Sequence, residues 1–232
     1  MSLVDLSLLL TSTLSFCISA RPPNPPPETS EQVKVPLSDS VLVKGSVLLP
    51  IMTLLPCLAA TAVSLALNFP SRTSGQILAV LLPAGHLHDL TPSRYLIAGS
   101  ILAVAGGLGR IWCYRTLGRH FTFELSLRKE HRLVTDGPYS VVRHPSYTAI
   151  VLVVVGLTLV HLSPGSFSRS CGWLDTTWGK TIFGAWATQC ALTISVLFSR
   201  TKREDVMLKE HFGEVWEKYA RRVRYRLVPG VY

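Results

Sequence analysis

Charge is what this chain has least of. Only 16% of its 232 residues are Asp, Glu, Lys or Arg, against 48% hydrophobic, a balance that excludes an ordinary soluble domain of this length. The deficit is concentrated: Gly45 to Ser71, Ser146 to Ser168 and Thr181 to Ser199 contain no charged residue. Each run approaches the roughly 20 apolar residues that cross a bilayer core. Tyr95 to Gly109 is also uncharged and continues through Arg110 to Tyr114, with the arginine expected to face protein or to snorkel. Thr73 to Gly85 is shorter and reads as half a span or an interfacial segment. The fold expected is all-α, a polytopic transmembrane bundle of about five spans.

Other absences narrow the function. No alternation of strands and helices occurs, and Gly106-Gly107-Leu108-Gly109 follows no strand, which removes the Rossmann scaffold of soluble nucleotide-binding enzymes. Those glycines read as small residues that let membrane helices approach closely. The five cysteines form no C-x-x-C pair, so neither a zinc site nor a disulfide framework is indicated. His86, His88 and Asp89 lack the further ligands of a zinc or iron site, and no metal is expected. Met1 to Ala20 is apolar from Leu6 but lacks the basic start of a secretory signal, and reads as a weak first helix or signal anchor. Pro22 to Pro36 reads as an extended, exposed linker.

The net charge of +9 is placed, not spread. Six Lys or Arg fall between Arg115 and Arg143 and nine between Arg200 and Arg226, so both segments are expected on the cytosolic side. The two spans between them form a hairpin that returns the chain to the side it left. Membrane lipid, not nucleic acid, is the partner this basicity implies. After Ser199, Val206, Leu208, Phe212, Val215, Trp216 and Tyr219 recur at three- and four-residue spacings and predict a cytosolic amphipathic helix.

One stretch, His131 to Tyr147, crowds ionisable, aromatic and turn residues against a span. Asp136-Gly137-Pro138 predicts a turn. Pro145 suits the first position of a helix capped by His144. The amides of Ser146 and Tyr147 are then expected to be unpaired at the positive end of the helix dipole, an anion site at a membrane face. Arg200 and Glu204, one helical turn apart at the end of the last span, are placed to face the same volume as His144.

These residues resemble a known family, the isoprenylcysteine carboxyl methyltransferases. The matching text is His131-x-Leu133-Val134-Thr135-x-Gly137-x-Tyr139, Arg143-His144-Pro145-Ser146-Tyr147, then Arg200-x-x-x-Glu204-Asp205-x-x-Leu208, Phe212-Gly213 and Leu227-Val228-Pro229. The R-H-P-x-Y block is shared with membrane enzymes that methylate phospholipid amines or reduce sterols. The resemblance implies S-adenosylmethionine as methyl donor, and as acceptor the C-terminal carboxylate of prenylated proteins of the CaaX type bearing farnesyl or geranylgeranyl cysteine. It implies that His131, Arg132, Leu133, Val134, Tyr139, His144, Pro145, Ser146, Tyr147 and Glu204 bind the cofactor and that Arg200 holds the acceptor carboxylate. It also implies the endoplasmic reticulum membrane, with the site facing the cytosol.

The domains expected are residues 1–40 as N-terminal segment and linker, 41–114 as N-terminal transmembrane helices and 115–232 as the catalytic core. The alternatives are a phospholipid or small-amine N-methyltransferase of the same membrane group and a non-catalytic scaffold with a relic cofactor pocket.

Overall fold

The structure, a computed structural model, describes residues 3–33, 48–83, 93–127 and 132–232. His86, His88, Asp89 and His131 lie outside the described residues. Those described are helical apart from loops and one isolated antiparallel bridge, Gln32 to Ser126. In chain order the helices are α1 (Leu3–Ser19), α2 (Leu48–Asn68), α3 (Arg72–Leu81), α4 (Arg94–Leu117), α5 (Pro145–Leu162), the single turn α6 (Phe167–Ser170), α7 (Thr177–Phe212) and α8 (Glu214–Arg222).

Among the described residues, four helical segments are long and apolar enough to cross a membrane, Leu49–Asn68, Arg94–His120, Pro145–Ser170 and Thr177–Phe212, and Val4–Ser19 forms a shorter apolar helix. The expected five spans therefore resolve into four and a shorter companion, because α1 has 17 residues where about 20 are needed to cover the hydrocarbon core. α3 has ten residues and is the half-length segment anticipated there.

The tightest packing joins α4 and α5, with α1 laid against α4. Small residues explain the approach. A Cβ built on Gly99 would come 2.7 Å from the carbonyl oxygen of Gly156, and one on Gly106 would come 2.6 Å from that of Ala149. Gly107 lies equally close against Ser15 of α1. Backbone contact of this kind replaces the hydrophobic drive that lipid cannot supply. Helix starts are capped locally: Ser93 accepts from the Leu96 amide at 3.2 Å and Thr176 from the Gly179 amide at 3.0 Å.

Two sequence expectations change. α7 does not end at the membrane face but runs unbroken for 36 residues, about 54 Å at 1.5 Å per residue. The amphipathic pattern therefore belongs first to the extension of a span and then to α8. The break falls at Gly213, whose φ of +53° disfavours any residue with a Cβ. The proline-rich segment is no free linker either, as far as Val33. The Asn24 amide donates to the carbonyls of Gly118 and Phe121 at 2.8 and 2.9 Å. Val33 N–H donates to Leu125 and Leu127 N–H to Glu31. The segment is extended, and it lies over the loop that follows α4.

Gly156→Ala forces a Cβ to within 2.5 Å of the backbone at Ala103 and Gly99, and overpacking of this kind costs about 1–3 kcal/mol. The expected outcome is a lower melting temperature for detergent-solubilised protein; an unchanged melt would show that α4 and α5 part without penalty.

Candidate functional site

α7 supplies the spine of the site. Thr193, Leu197 and Arg200 are buried and recur at helical spacing, and the same stripe continues through Glu204 and Leu208. The upper part lines an apolar cavity, together with Phe16, Leu49, Ile150 and Val153. The lower part lines a polar one, together with Glu124, Arg132, Leu133, Val134, Tyr139, His144 and Ser146. The two cavities share four residues, Phe121, Thr122, Tyr147 and Arg200. Arg200 donates to the Phe123 carbonyl at 2.6 Å, and its guanidinium lies 5.9 Å from the centre of the Tyr147 ring.

The start of α5 is built as the proline suggests, with Pro145 at the first helical position and His144 in the cap. The side chain of His144 makes no cap bond. Its ring reaches α7, where Nε2 meets Asp205 Oδ1 at 3.0 Å and Nδ1 lies 3.6 Å from Glu204 Oε2. The Tyr147 hydroxyl donates to Glu204 at 2.7 Å, and the rings of His144 and Tyr147 stack with centroids 5.6 Å apart. Asp205, 4% exposed, also pairs with Arg226 Nε at 2.7 Å and Arg143 at 3.5 Å.

The C-terminal tail closes this end. The amides of Arg143 and His144 donate to the carbonyls of Tyr225 and Arg226 at 3.0 and 2.8 Å, and Thr148 Oγ1 donates to Leu227 at 2.6 Å. Leu227 is buried. α8 braces the turn before the helix: the Tyr219 hydroxyl donates to the Tyr139 carbonyl at 2.8 Å. Burial raises the Tyr139 phenol well above its ordinary range, and the Tyr219 phenol also, so both remain protonated donors at neutral pH.

Most expected site residues meet here. Arg132, Leu133, Val134, Tyr139, His144, Ser146, Tyr147, Glu204 and Arg200 line the polar cavity. Pro145 is buried at the helix start and is not among its lining residues. The anion site requires correction. The Tyr147 amide is spent on the His144 carbonyl at 3.0 Å, because the cap closes with a tight first turn. Only the Ser146 amide is left from the expected pair, at a cavity that Arg132 and Arg143 also line. Among the described residues, no group of three or more His, Cys, Asp or Glu is placed to hold a metal.

Three contributors escaped the sequence reading. Asp205 stood there only as part of the matching text beside Glu204. Arg226 sits in a basic tail with no distinguishing neighbour. Arg110 carried a signal as a charge set well inside α4, ending an uncharged run from Tyr95 to Gly109, and it is 7% exposed, with Nε donating to the Ser19 carbonyl at 2.8 Å and Nη1 to Ser146 Oγ at 2.7 Å.

The class defined by these features is a polytopic α-helical membrane protein with a two-part cavity at one end of its bundle. Within that class, the model of the family described as isoprenylcysteine carboxyl methyltransferase (ICMT) matches residues 99–168, from within α4 into α6. Protein-S-isoprenylcysteine O-methyltransferase B of Arabidopsis thaliana is 30% identical over 128 residues, 54% of this chain and 55% of that protein. A probable protein-S-isoprenylcysteine O-methyltransferase of Oryza sativa subsp. indica is 27% identical over 128 residues, 54% and 56% of the two chains. The matched region thus spans about half the length of these relatives. The 7-dehydrocholesterol reductase of Arabidopsis thaliana is 29% identical over 104 residues, 45% of this chain and 20% of that protein.

Asp205→Ala leaves Arg143 and Arg226 without their shared anion, and breaking a buried pair costs about 3–5 kcal/mol. A melting temperature lowered by many degrees in detergent, with easier proteolysis after Arg222, is expected. Wild-type values for both would remove Asp205 from the role of tether.

Proposed function

We propose that the protein is an S-adenosylmethionine-dependent methyltransferase that esterifies the C-terminal carboxylate of prenylated cysteine. One observation carries the reading: a polar cavity and an apolar cavity meet at Tyr147 and Arg200. A water-soluble donor and a lipid-bearing acceptor need that pair of environments, touching at one point.

The polar cavity fits the donor by its chemistry. Glu204 offers a carboxylate to an amino group, Arg132 and the Ser146 amide suit a carboxylate, and Leu133, Val134 and Leu208 give apolar wall to a purine. S-adenosylmethionine, when bound, supplies an electrophilic methyl group on a sulfonium. The chain's residues then have three tasks: to align the acceptor, to strip water from its oxygens and to balance its charge. No general base is required, because a carboxylate is already ionised at neutral pH. Arg200, at the junction, orients the carboxylate through its fork of donors. The apolar cavity takes the prenyl chain, which arrives by partitioning into the bilayer.

Cytosolic access follows from the basic residues that flank the polar cavity, and residence in the endoplasmic reticulum follows from the resemblance. Lipid-amine methylation is disfavoured, because a cationic acceptor would lie beside Arg200 and Arg110 in a poorly solvated space.

Detergent-solubilised protein given labelled S-adenosylmethionine should place base-labile label on a farnesylated cysteine analogue and none on phosphatidylethanolamine; label in the lipid alone would overturn the proposal. Glu204→Ala should raise KM for the donor about 10-fold or more with little change for the acceptor, and Arg200→Ala should do the reverse. Equal effects of the two substitutions on both substrates would sink these roles.

A further inference from the structure

The apolar cavity has a buried cation in its wall. Arg110 lines it together with Phe16, Phe121 and Phe123 and is 7% exposed. Charge buried at membrane depth is normally paired or marks a site. The oxygen partners of Arg110 are neutral: the Ser19 carbonyl, Ser146 Oγ, the Ser146 carbonyl and the Tyr114 hydroxyl. The rings of Tyr114, Phe121 and Phe123 lie 5.2, 5.6 and 5.0 Å from its guanidinium carbon. Among the described residues no carboxylate pairs with it.

This chain compensates buried charge elsewhere, since Asp205 collects His144, Arg143 and Arg226. At Arg110 the compensation is partial. The C-terminal end of α1 presents the Ser19 carbonyl and its dipole, which accounts for one donor. Nη1 is spent on Ser146. Nη2 meets no carbonyl or carboxylate oxygen among the described residues, and the Tyr114 hydroxyl is the further polar group that contacts the guanidinium. The guanidinium is thus fixed in orientation through Nε and Nη1, with Nη2 free to meet a ligand oxygen in the cavity that Arg110 lines. Both arginines of that cavity touch the same residue: Arg110 lies over the Phe123 ring and Arg200 donates to the Phe123 carbonyl.

We infer that Arg110 is a second anchor for the acceptor carboxylate, with Nη2 as donor, acting together with Arg200 in the wall of the apolar cavity. The inference rests on the carboxyl-methyltransferase reading and deepens it. A monoanion on a lipid chain satisfies a cation that the protein leaves unpaired, whereas a neutral lipid does not. Conversion of the acceptor to an ester removes that charge, so the same pair of arginines that holds the substrate releases the product.

Equilibrium binding of an N-acetylated farnesylcysteine acid and of its carboxamide, to the full chain in lipid nanodiscs, tests this. Wild type should prefer the acid by about 10-fold or more. Arg110→Gln and Arg110→Met should both lose that preference through weaker acid binding, with carboxamide and S-adenosylmethionine affinities within about 3-fold of wild type. The methionine variant suits the apolar wall and covers the case in which the glutamine variant does not fold. Arg110→Lys should keep a preference of several-fold. Acid and carboxamide weakened equally, or a loss of S-adenosylmethionine affinity alone, overturns the role of Arg110 and reduces it to packing. A wild type with no preference for the acid overturns the carboxylate-acceptor reading itself, and the anchor with it.

Discussion

One carboxylate ties the membrane face of this protein together. Asp205, on the extension of α7, receives the His144 ring from the cap of α5, Arg143 from the loop before it and Arg226 from the tail. Two segments far apart in sequence, Arg143-His144 and the tail at Arg226, meet at that group, and a buried carboxylate is tolerable only because they do. The consequence reaches the site directly. With His144 held on Asp205, the rings of His144 and Tyr147 stack and the Tyr147 hydroxyl is delivered to Glu204.

The bundle supplies the other constraint. Glycines on α4 and α5 let two backbones touch, so these helices form a rigid pair, while α7 stands further off and leaves space between. That space divides by chemistry. Toward the membrane interior α7 shows Thr193 and Leu197, and toward the face it shows Glu204 and Leu208, with Arg200 at the boundary. A single helix thereby presents a lipid environment and a polar one in register, and the loop from Phe121 to Glu124 forms the wall between them. The Asn24 amide, bonded to the carbonyls of Gly118 and Phe121, pins that loop from a segment outside the region of family similarity.

Much of this was legible without coordinates. Charge-free runs mark the spans because the bilayer tolerates few charges. His144-Pro145 marks a helix start because proline has no amide to leave unsatisfied. The convergence of His144, Arg200 and Glu204 followed from the hairpin and from one-turn spacing. What failed had local causes. The second amide of the expected anion site closes a tight first turn instead, a choice made by dihedral angles that composition does not reveal. The proline-rich segment is extended and largely exposed as expected, but low-complexity sequence carries no sign of what its backbone pairs with.

The sequence by itself determined the class of fold, the membrane setting, the start of α5 and most of the residues around the polar cavity, since each depends on chemistry local to a few positions. The tertiary structure alone decided the partners. That Asp205 gathers three basic groups, that Arg110 turns inward with no carboxylate partner among the described residues and that two cavities share Tyr147 and Arg200 all depend on which helix faces meet. Helix rotation and approach are fixed by packing along whole elements, and no short motif encodes them.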